Sequence, residues 1–151
     1  MITVLYVDDE VQNLEAFKAA FRRSYNVLLA RSAAEARKIL AENKVAVLIS
    51  DQRMPVETGT QLLSEAVKLY PAQVRILLTA YADMEALVNA VNQGYIFKYH
   101  SKPWNEADLG ESLKQASAYF RKLKALDDME KRIHDSISDV DRLLRSSDEQ
   151  E

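Results

Sequence analysis

The sequence predicts an α/β fold built on a doubly wound, five-stranded parallel sheet. Two observations carry this prediction. Five short apolar runs alternate with amphipathic segments along the chain, and only 3 Gly and 3 Pro interrupt its 151 residues. Each run and the segment after it take about 20–25 residues, which suits right-handed crossovers between parallel strands.

The five apolar runs are rich in Val, Ile, Leu and Tyr, and three of them are nearly continuous. Continuous apolar strands are typical of a sheet that is covered on both faces. We therefore predict strands at Ile2–Val7, Asn26–Ala30, Val45–Ser50, Arg75–Thr79 and Tyr95–Tyr99.

The segments between the runs carry apolar residues at helical spacing and end-signals that support helices. Ser32 with Glu35 and Thr58 with Gln61 have the spacing of capping boxes. Asp83 and Asn105 can cap the starts of the fourth and fifth helices. Pro71 and Gly94 follow the third and fourth helices and would end them.

Composition and charge exclude several classes of protein. No apolar run approaches the 18 residues of a membrane span, the first residues lack the basic segment of a signal peptide, and cysteine is absent. Residues 127–151 hold nine acidic side chains against four basic ones, a net of −5, whereas the whole chain carries −3. Such an acidic end disfavours nucleic-acid binding, and we expect a cytoplasmic protein without membrane contact.

Polar side chains follow four of the predicted strands. Asp8 and Asp9 end the first strand, Asp51 ends the third, Thr79 the fourth, and Lys102 comes shortly after the fifth. The carboxyl ends of parallel strands form the ligand-binding edge of such a sheet, so these groups should converge. Three clustered carboxylates need a neutralising cation, and an oxygen-only set favours Mg²⁺ (or Mn²⁺) and phosphoryl chemistry.

Over about residues 2–122 the sequence resembles the receiver domain of two-component response regulators. The resemblance rests on four motifs: Val7-Asp8-Asp9-Glu10, Ser50-Asp51-Gln52-Arg53-Met54-Pro55 with Gly59, Leu78-Thr79-Ala80, and Lys102-Pro103. It implies the (βα)5 flavodoxin-like receiver fold. It also implies a signalling phosphoacceptor that is not an enzyme and that catalyses only its own phosphotransfer and dephosphorylation.

The resemblance implies a role for each matching residue. Asp51 would be the phosphoacceptor, and Thr79 and Lys102 would bind the phosphoryl group. The metal ligands would be Asp9, Asp51 and the main-chain carbonyl of Arg53, with Asp8 acting through a water of the ion. The Lys102–Pro103 peptide would be cis.

The resemblance also implies a switch and two residues that control phosphoryl lifetime. Thr79 would move toward the phosphoryl group and vacate space for Tyr99, so that the face formed by the fourth helix, fifth strand and fifth helix changes. Arg53 and Tyr81 would flank the acyl phosphate, and their size predicts slow dephosphorylation.

We expect His100 to be an exposed loop residue.

Nothing in the sequence stops the fifth helix, because no Pro follows Asn105. From there to Leu144 the helix would be about 60 Å long. Its apolar residues repeat at spacings of three and four, with Glu130 in one seam position. This pattern predicts a coiled coil, favouring a parallel homodimer, whose seam is Tyr119, Leu123, Leu126, Ile133, Ile137, Val140 and Leu144.

We expect three regions: a receiver at 1–122, a helical coiled-coil extension at 123–145 and a disordered tail at 146–151. The expected partners are a sensor histidine kinase or phosphotransfer protein, a second copy of the chain, and an output domain. Two alternatives remain open: a phosphorylation-independent scaffold, and an aspartyl phosphatase. Arg53 argues against the phosphatase, since those enzymes usually have a second Asp two residues after the nucleophile.

Overall fold

Strands and helices alternate without exception in the computed structural model, which describes residues 1–80 and 84–149. The predicted fold class is confirmed. The elements are β1 (Thr3–Val7), α1 (Val11–Phe21), β2 (Asn26–Ala30), α2 (Ala33–Glu42), β3 (Val47–Asp51), α3 (Gly59–Leu69), β4 (Val74–Thr79), α4 (Met84–Asn92), β5 (Lys98–Ser101) and α5 (Glu106–Glu149).

The sheet has the strand order β2-β1-β3-β4-β5, and every pairing is parallel. The chain moves outward in one direction from β1 to β2 and then crosses back to β3, so strand order reverses between β1 and β3. In doubly wound sheets the ligand site lies at such a reversal, outside the carboxyl ends of the strands. This topology directs attention to the residues that follow Val7 and Ser50, which are paired across β1 and β3.

Strand residues alternate between two apolar clusters, one on each face of the sheet. Val4 and Tyr6 lie in the first cluster, whose helical residues come from α1 and α5, whereas Leu5 and Val7 lie in the second, with residues of α2, α3 and α4. Trp104 packs against the first cluster and contacts the rings of Phe17 and Phe21. Burial on both faces explains the continuous apolar runs of the central strands.

The helix ends agree with the predicted caps. Ser32 accepts a hydrogen bond from the backbone N–H of Glu35, and Thr58 with Gln61 forms a complete capping box. Asn105 accepts from the N–H of Asp108, and Gly94 takes a left-handed conformation (φ 75°) after α4. The predicted cap Asp83 lies outside the described residues.

The fifth strand is displaced from its predicted position. The apolar run predicted Tyr95–Tyr99, but β5 covers Lys98–Ser101. Phe97 packs against the first cluster and thus anchors the approach to an edge strand whose own residues are mostly exposed. The expectation for His100 is therefore wrong: it is half-buried in β5, and its Nε2 lies 2.7 Å from Ser112 Oγ on α5.

The predicted long last helix is confirmed. Its residues are shared between the two compact units into which the chain divides. Residues 1–120 form the first unit and residues 121–151 the second. Helix α5 continues through Ser146 to Glu149, within the segment for which the sequence predicted a disordered tail. No Gly or Pro in this stretch interrupts the helix. Within residues 1–80 and 84–149, no helix is both long and apolar enough to span a bilayer.

Candidate functional site

Three carboxylates meet where β1 and β3 end. Asp8 and Asp9 follow β1 directly, and Asp51 is the last residue of β3. One oxygen from each lies within 4.8 Å of the others. The predicted convergence of these three side chains is confirmed, and its cause is the parallel pairing of β1 with β3.

Asp8 is completely buried, and three donors besides Lys102 hold it. The hydroxyl of Tyr6 donates to its Oδ2 at 2.7 Å, Asn13 Nδ2 donates to the same oxygen at 3.1 Å, and the backbone N–H of Glu10 donates to Oδ1 at 2.9 Å. Burial, together with the hydrogen bond and charge of Asp8, raises the pKa of the Tyr6 hydroxyl far above its usual range.

Sequence reasoning missed both Tyr6 and Asn13 as partners of Asp8. A signal for Tyr6 was present, because residues two apart on a strand point to the same face. No comparable spacing rule pointed to Asn13, whose position depends on how α1 starts after the acidic loop.

Lys102 pairs with two of these carboxylates. Its Nζ donates to Asp51 Oδ2 at 3.0 Å and lies 3.4 Å from Asp8 Oδ2. Burial raises the pKa of the Asp51 carboxyl; Lys102 opposes that effect, and the charges of Asp8 and Asp9 add to it. Burial alone would lower the pKa of Lys102, but Asp51 and Asp8 outweigh it and the pKa is raised.

The donor set fits a hard divalent cation. Three carboxylates with one ammonium leave an excess of negative charge in a largely buried site, and Asp9 is the member most open to solvent. Carboxylate oxygens, with room for carbonyl and water ligands, are what Mg²⁺ prefers. A Cβ at Gly59 would lie 2.4 Å from the backbone oxygen of Asp51, so glycine lets α3 begin directly against the acidic end of β3.

The fourth strand places Thr79 at the same edge. Thr79 is buried, and its hydroxyl donates to the carbonyl of Ala80 at 3.1 Å. The carbonyl of Thr79 accepts from the N–H of Lys102, which ties the ends of β4 and β5 together. The Lys102–Pro103 peptide is cis, as the resemblance implies.

The other predicted positions differ in how exposed they are and in what they contact. Arg53 is exposed in the loop after β3, and Tyr99 is 54% exposed on β5. Tyr81 lies outside the described residues. Tyr119 stacks on Phe97 with ring centroids 5.1 Å apart.

The apolar side chains of the second unit are uncovered. From Leu126 onward, each predicted seam residue is more than half exposed, up to 63% at Ile137. The complete exposed set is Leu126, Ile133, Ile137, Val140 and Leu144, together with Met129 and Leu143.

Comparison with known proteins finds relatives over most of the chain. The family model for the response regulator receiver domain matches residues 4–114. The hydrogenase transcriptional regulatory protein HoxA of Cupriavidus necator is 39% identical over 114 residues, covering 76% of this chain and 24% of HoxA. The chain thus spans about a quarter of the length of the curated relatives it matches.

Solved structures show the same likeness. A CheY-like response regulator receiver domain protein from Methanospirillum hungatei superimposes with a TM-score of 0.76 at 31% identity, covering 81% of this chain and 98% of that one. The response regulator protein TrrA of Thermotoga maritima, solved with Mg²⁺ and BeF, gives a TM-score of 0.69 at 27% identity, covering 77% and 99%.

Proposed function

The chain belongs to the family of response regulator receiver domains, and from this premise we propose that Asp51 accepts a phosphoryl group from a sensor histidine kinase or a phosphotransfer protein. A receiver domain is part of a regulator and not a classical enzyme. The observation that supports the proposal best is the buried Asp51 carboxylate with Lys102 Nζ at 3.0 Å beside Asp8 and Asp9. The proposed location of this transfer is the cytoplasm.

Each residue has its own role in the proposed in-line phosphoryl transfer. An oxygen of Asp51 attacks phosphorus, the bond from phosphorus to the donor nitrogen breaks, and its electron pair stays on the donor imidazole. Lys102 holds the incoming phosphoryl oxygens. Asp9, Asp51 and the carbonyl of Arg53 would hold Mg²⁺ (or Mn²⁺), with Asp8 acting through a water of the ion. When bound, Mg²⁺ neutralises charge on those oxygens.

The proposed switch starts from the hydroxyl of Thr79. That hydroxyl now donates to Ala80 and would turn to a phosphoryl oxygen on Asp51, which adds roughly −1.5 to −2 charge. Tyr99 would then occupy the vacated space, and the α4–β5–α5 face would change shape. Arg53 and Tyr81 would shield the phosphoryl group, so the lifetime should exceed seconds.

Phosphotransfer from acetyl phosphate with Mg²⁺ tests the proposal. We expect incorporation into the parent, full loss in Asp51→Asn, and normal incorporation in Asp128→Asn, a matched change on the exposed part of α5. Unchanged labelling of Asp51→Asn would refute Asp51 as acceptor. No labelling of the parent would favour the alternative of a phosphorylation-independent scaffold and dimerisation module.

We also propose that residues 123–145 form a coiled coil with a second copy of the chain. The support is the exposed apolar stripe at heptad spacing. The curated relatives are about four times as long as this chain, so an output domain attached after the receiver is part of the proposal. In this proposal the receiver comprises residues 1–122 and the coiled-coil extension residues 123–145.

Charge on the two sides of the seam favours a parallel arrangement. Asp127, His134 and Asp141 follow one edge of the seam, whereas Lys122 and Met129 lie on the other. In a parallel in-register pair, these edges face each other and Lys122 meets the second copy's Asp127. In an antiparallel pair the acidic edges would meet, with Asp127 against Asp141 at both ends.

The absence of cysteine makes the arrangement testable by cross-linking. In a parallel in-register coil, Leu123→Cys and Val140→Cys should each form a disulfide-linked dimer alone. An antiparallel coil would cross-link efficiently only when the two variants are mixed. A monomer at high concentration in sedimentation, without cross-links in either case, would refute the coil but leave phosphorylation untouched.

A further inference from the structure

Arg37 on α2 joins two acidic side chains from different elements. Its Nε donates to Glu65 Oε2 on α3 at 2.6 Å, and its Nη1 donates to Glu57 Oε1 at 2.7 Å. Its Nη2 bonds the other oxygen of Glu57, so the guanidinium grips Glu57 with two parallel hydrogen bonds. The two carboxylates, with hydrogen bonds as the main cause, raise the pKa of Arg37, and Arg37 lowers that of Glu57.

Glu57 belongs to the loop that follows the phosphoacceptor. This loop, residues 52–58, starts immediately after Asp51 and carries Arg53, whose carbonyl is a proposed metal ligand. Its base is closed by the hydrogen bond from the N–H of Gly59 to the carbonyl of Gln52 at 2.9 Å. Both ends of the loop are thereby held against β3.

The tip of the loop is strained. Val56 has φ 73°, and the N–H of Glu57 donates to the carbonyl of Pro55 at 2.9 Å, which makes a three-residue turn centred on Val56. A β-branched residue pays about 1–2 kcal/mol for a left-handed backbone. Val56 is fully exposed, so its side chain gains no packing in return.

We propose that Arg37 is a positioning residue for the metal site. By holding Glu57 and Glu65 together, it would keep the strained loop in the conformation in which the Arg53 carbonyl can serve as the proposed metal ligand. Arg37 would act only through these two carboxylates and would not itself be a ligand of the ion. This inference rests on the proposed function, because it assigns Arg37 to the metal site that the function needs.

Direct measurement of free Mn²⁺ by electron paramagnetic resonance tests the inference. We expect Arg37→Met and Glu57→Gln each to weaken Mn²⁺ affinity about three- to tenfold. The double variant should be no weaker than the worse single one, because both changes remove the same contact. The control is Arg145→Met, which removes an exposed ion pair to Asp141 and should leave the affinity unchanged.

The outcomes separate the inference from the proposed function. Weaker affinity with normal circular dichroism supports the inference. Parent-like Mn²⁺ affinity in Arg37→Met, even with a lower melting temperature, overturns it and leaves the proposed function intact, and so does additive weakening in the double variant. A parent that binds no Mn²⁺ overturns the proposed metal site and the inference together. If Arg37→Met does not fold, Glu57→Gln decides the matter by the same criteria.

Discussion

Asp51 and Lys102 show how single residues determine the charge of this site. The ammonium of Lys102 lies 3.0 Å from Asp51 and 3.4 Å from Asp8, and Asp9 is the third carboxylate nearby. Lys102 offsets part of this negative charge through its ion pairs with Asp51 and Asp8. The fold therefore tolerates the acidic cluster partly through the same residue that is proposed to bind the phosphoryl group.

Lys102→Met should destabilise the metal-free protein at neutral pH. We expect the free energy of unfolding to fall by about 1–3 kcal/mol, because the change leaves carboxylates buried without their partner. Urea unfolding of parent and variant measures the difference. Lys131→Met, which removes an exposed ion pair with Asp127, should leave the free energy of unfolding unchanged within error, because solvent screens such a pair.

The loss in Lys102→Met should depend on pH in a defined direction. The pKa of Asp51 is raised in the folded protein, and removal of Lys102 raises it further. A raised carboxyl pKa favours folding below its unfolded value of about 3.9 and costs stability as pH rises toward its folded value. The deficit should therefore be smaller at about pH 5 than at about pH 8. An equal deficit at both values would contradict this explanation.

The loop between β3 and α3 shows a constraint at the scale of one element. Its sequence contains Pro55 but places valine, not glycine, where the backbone turns left-handed. Sequence reasoning identified this loop through Asp51 and Arg53 but gave no indication of the strain at Val56. The next residue, Glu57, accepts from Arg37 on α2, a contact that no local pattern records.

Val56→Gly should stabilise the protein by about 0.5–1 kcal/mol. The relief of left-handed strain exceeds the extra entropy that glycine gains in the unfolded chain. Denaturant unfolding measures the change. Val88→Gly, at an exposed site inside α4, provides the contrast and should destabilise by a similar amount. Destabilisation by both changes would show that Val56 is not strained in solution.

At the scale of the whole molecule, the chain divides into two units at residue 120. Helix α5 contributes residues to both of them. The first unit has a two-sided core, whereas the second exposes its apolar residues. Exposed apolar stripes of this length usually mark an interaction surface. Glu130 interrupts the stripe, and in a parallel pair its two copies would face each other.

Glu130→Leu should tighten the proposed dimer at least about tenfold, because it replaces a like-charged layer of the seam with an apolar one. Sedimentation equilibrium measures the dissociation constant. Asp128→Leu is the matched control: it makes the same change in charge and hydrophobicity on the opposite side of the helix. Equal tightening by the two variants would indicate unspecific association and argue against the predicted seam.

The sequence by itself determined the alternation of elements, the confirmed helix caps, and Asp8, Asp9, Asp51, Thr79 and Lys102 as the polar strand ends. Periodicity and capping act over a few residues, so they can be read locally. Only the tertiary structure decided the shift of β5 to Lys98–Ser101, because the N–H of Tyr95 donates to the carbonyl of Ala90 on α4 and the Tyr95 carbonyl accepts from Arg75 Nε. The tertiary structure also decided two sets of contacts: that of Asp8 with Asn13, and those of Arg37 with Glu57 and Glu65. Such contacts depend on how the elements pack, which a local sequence pattern does not record.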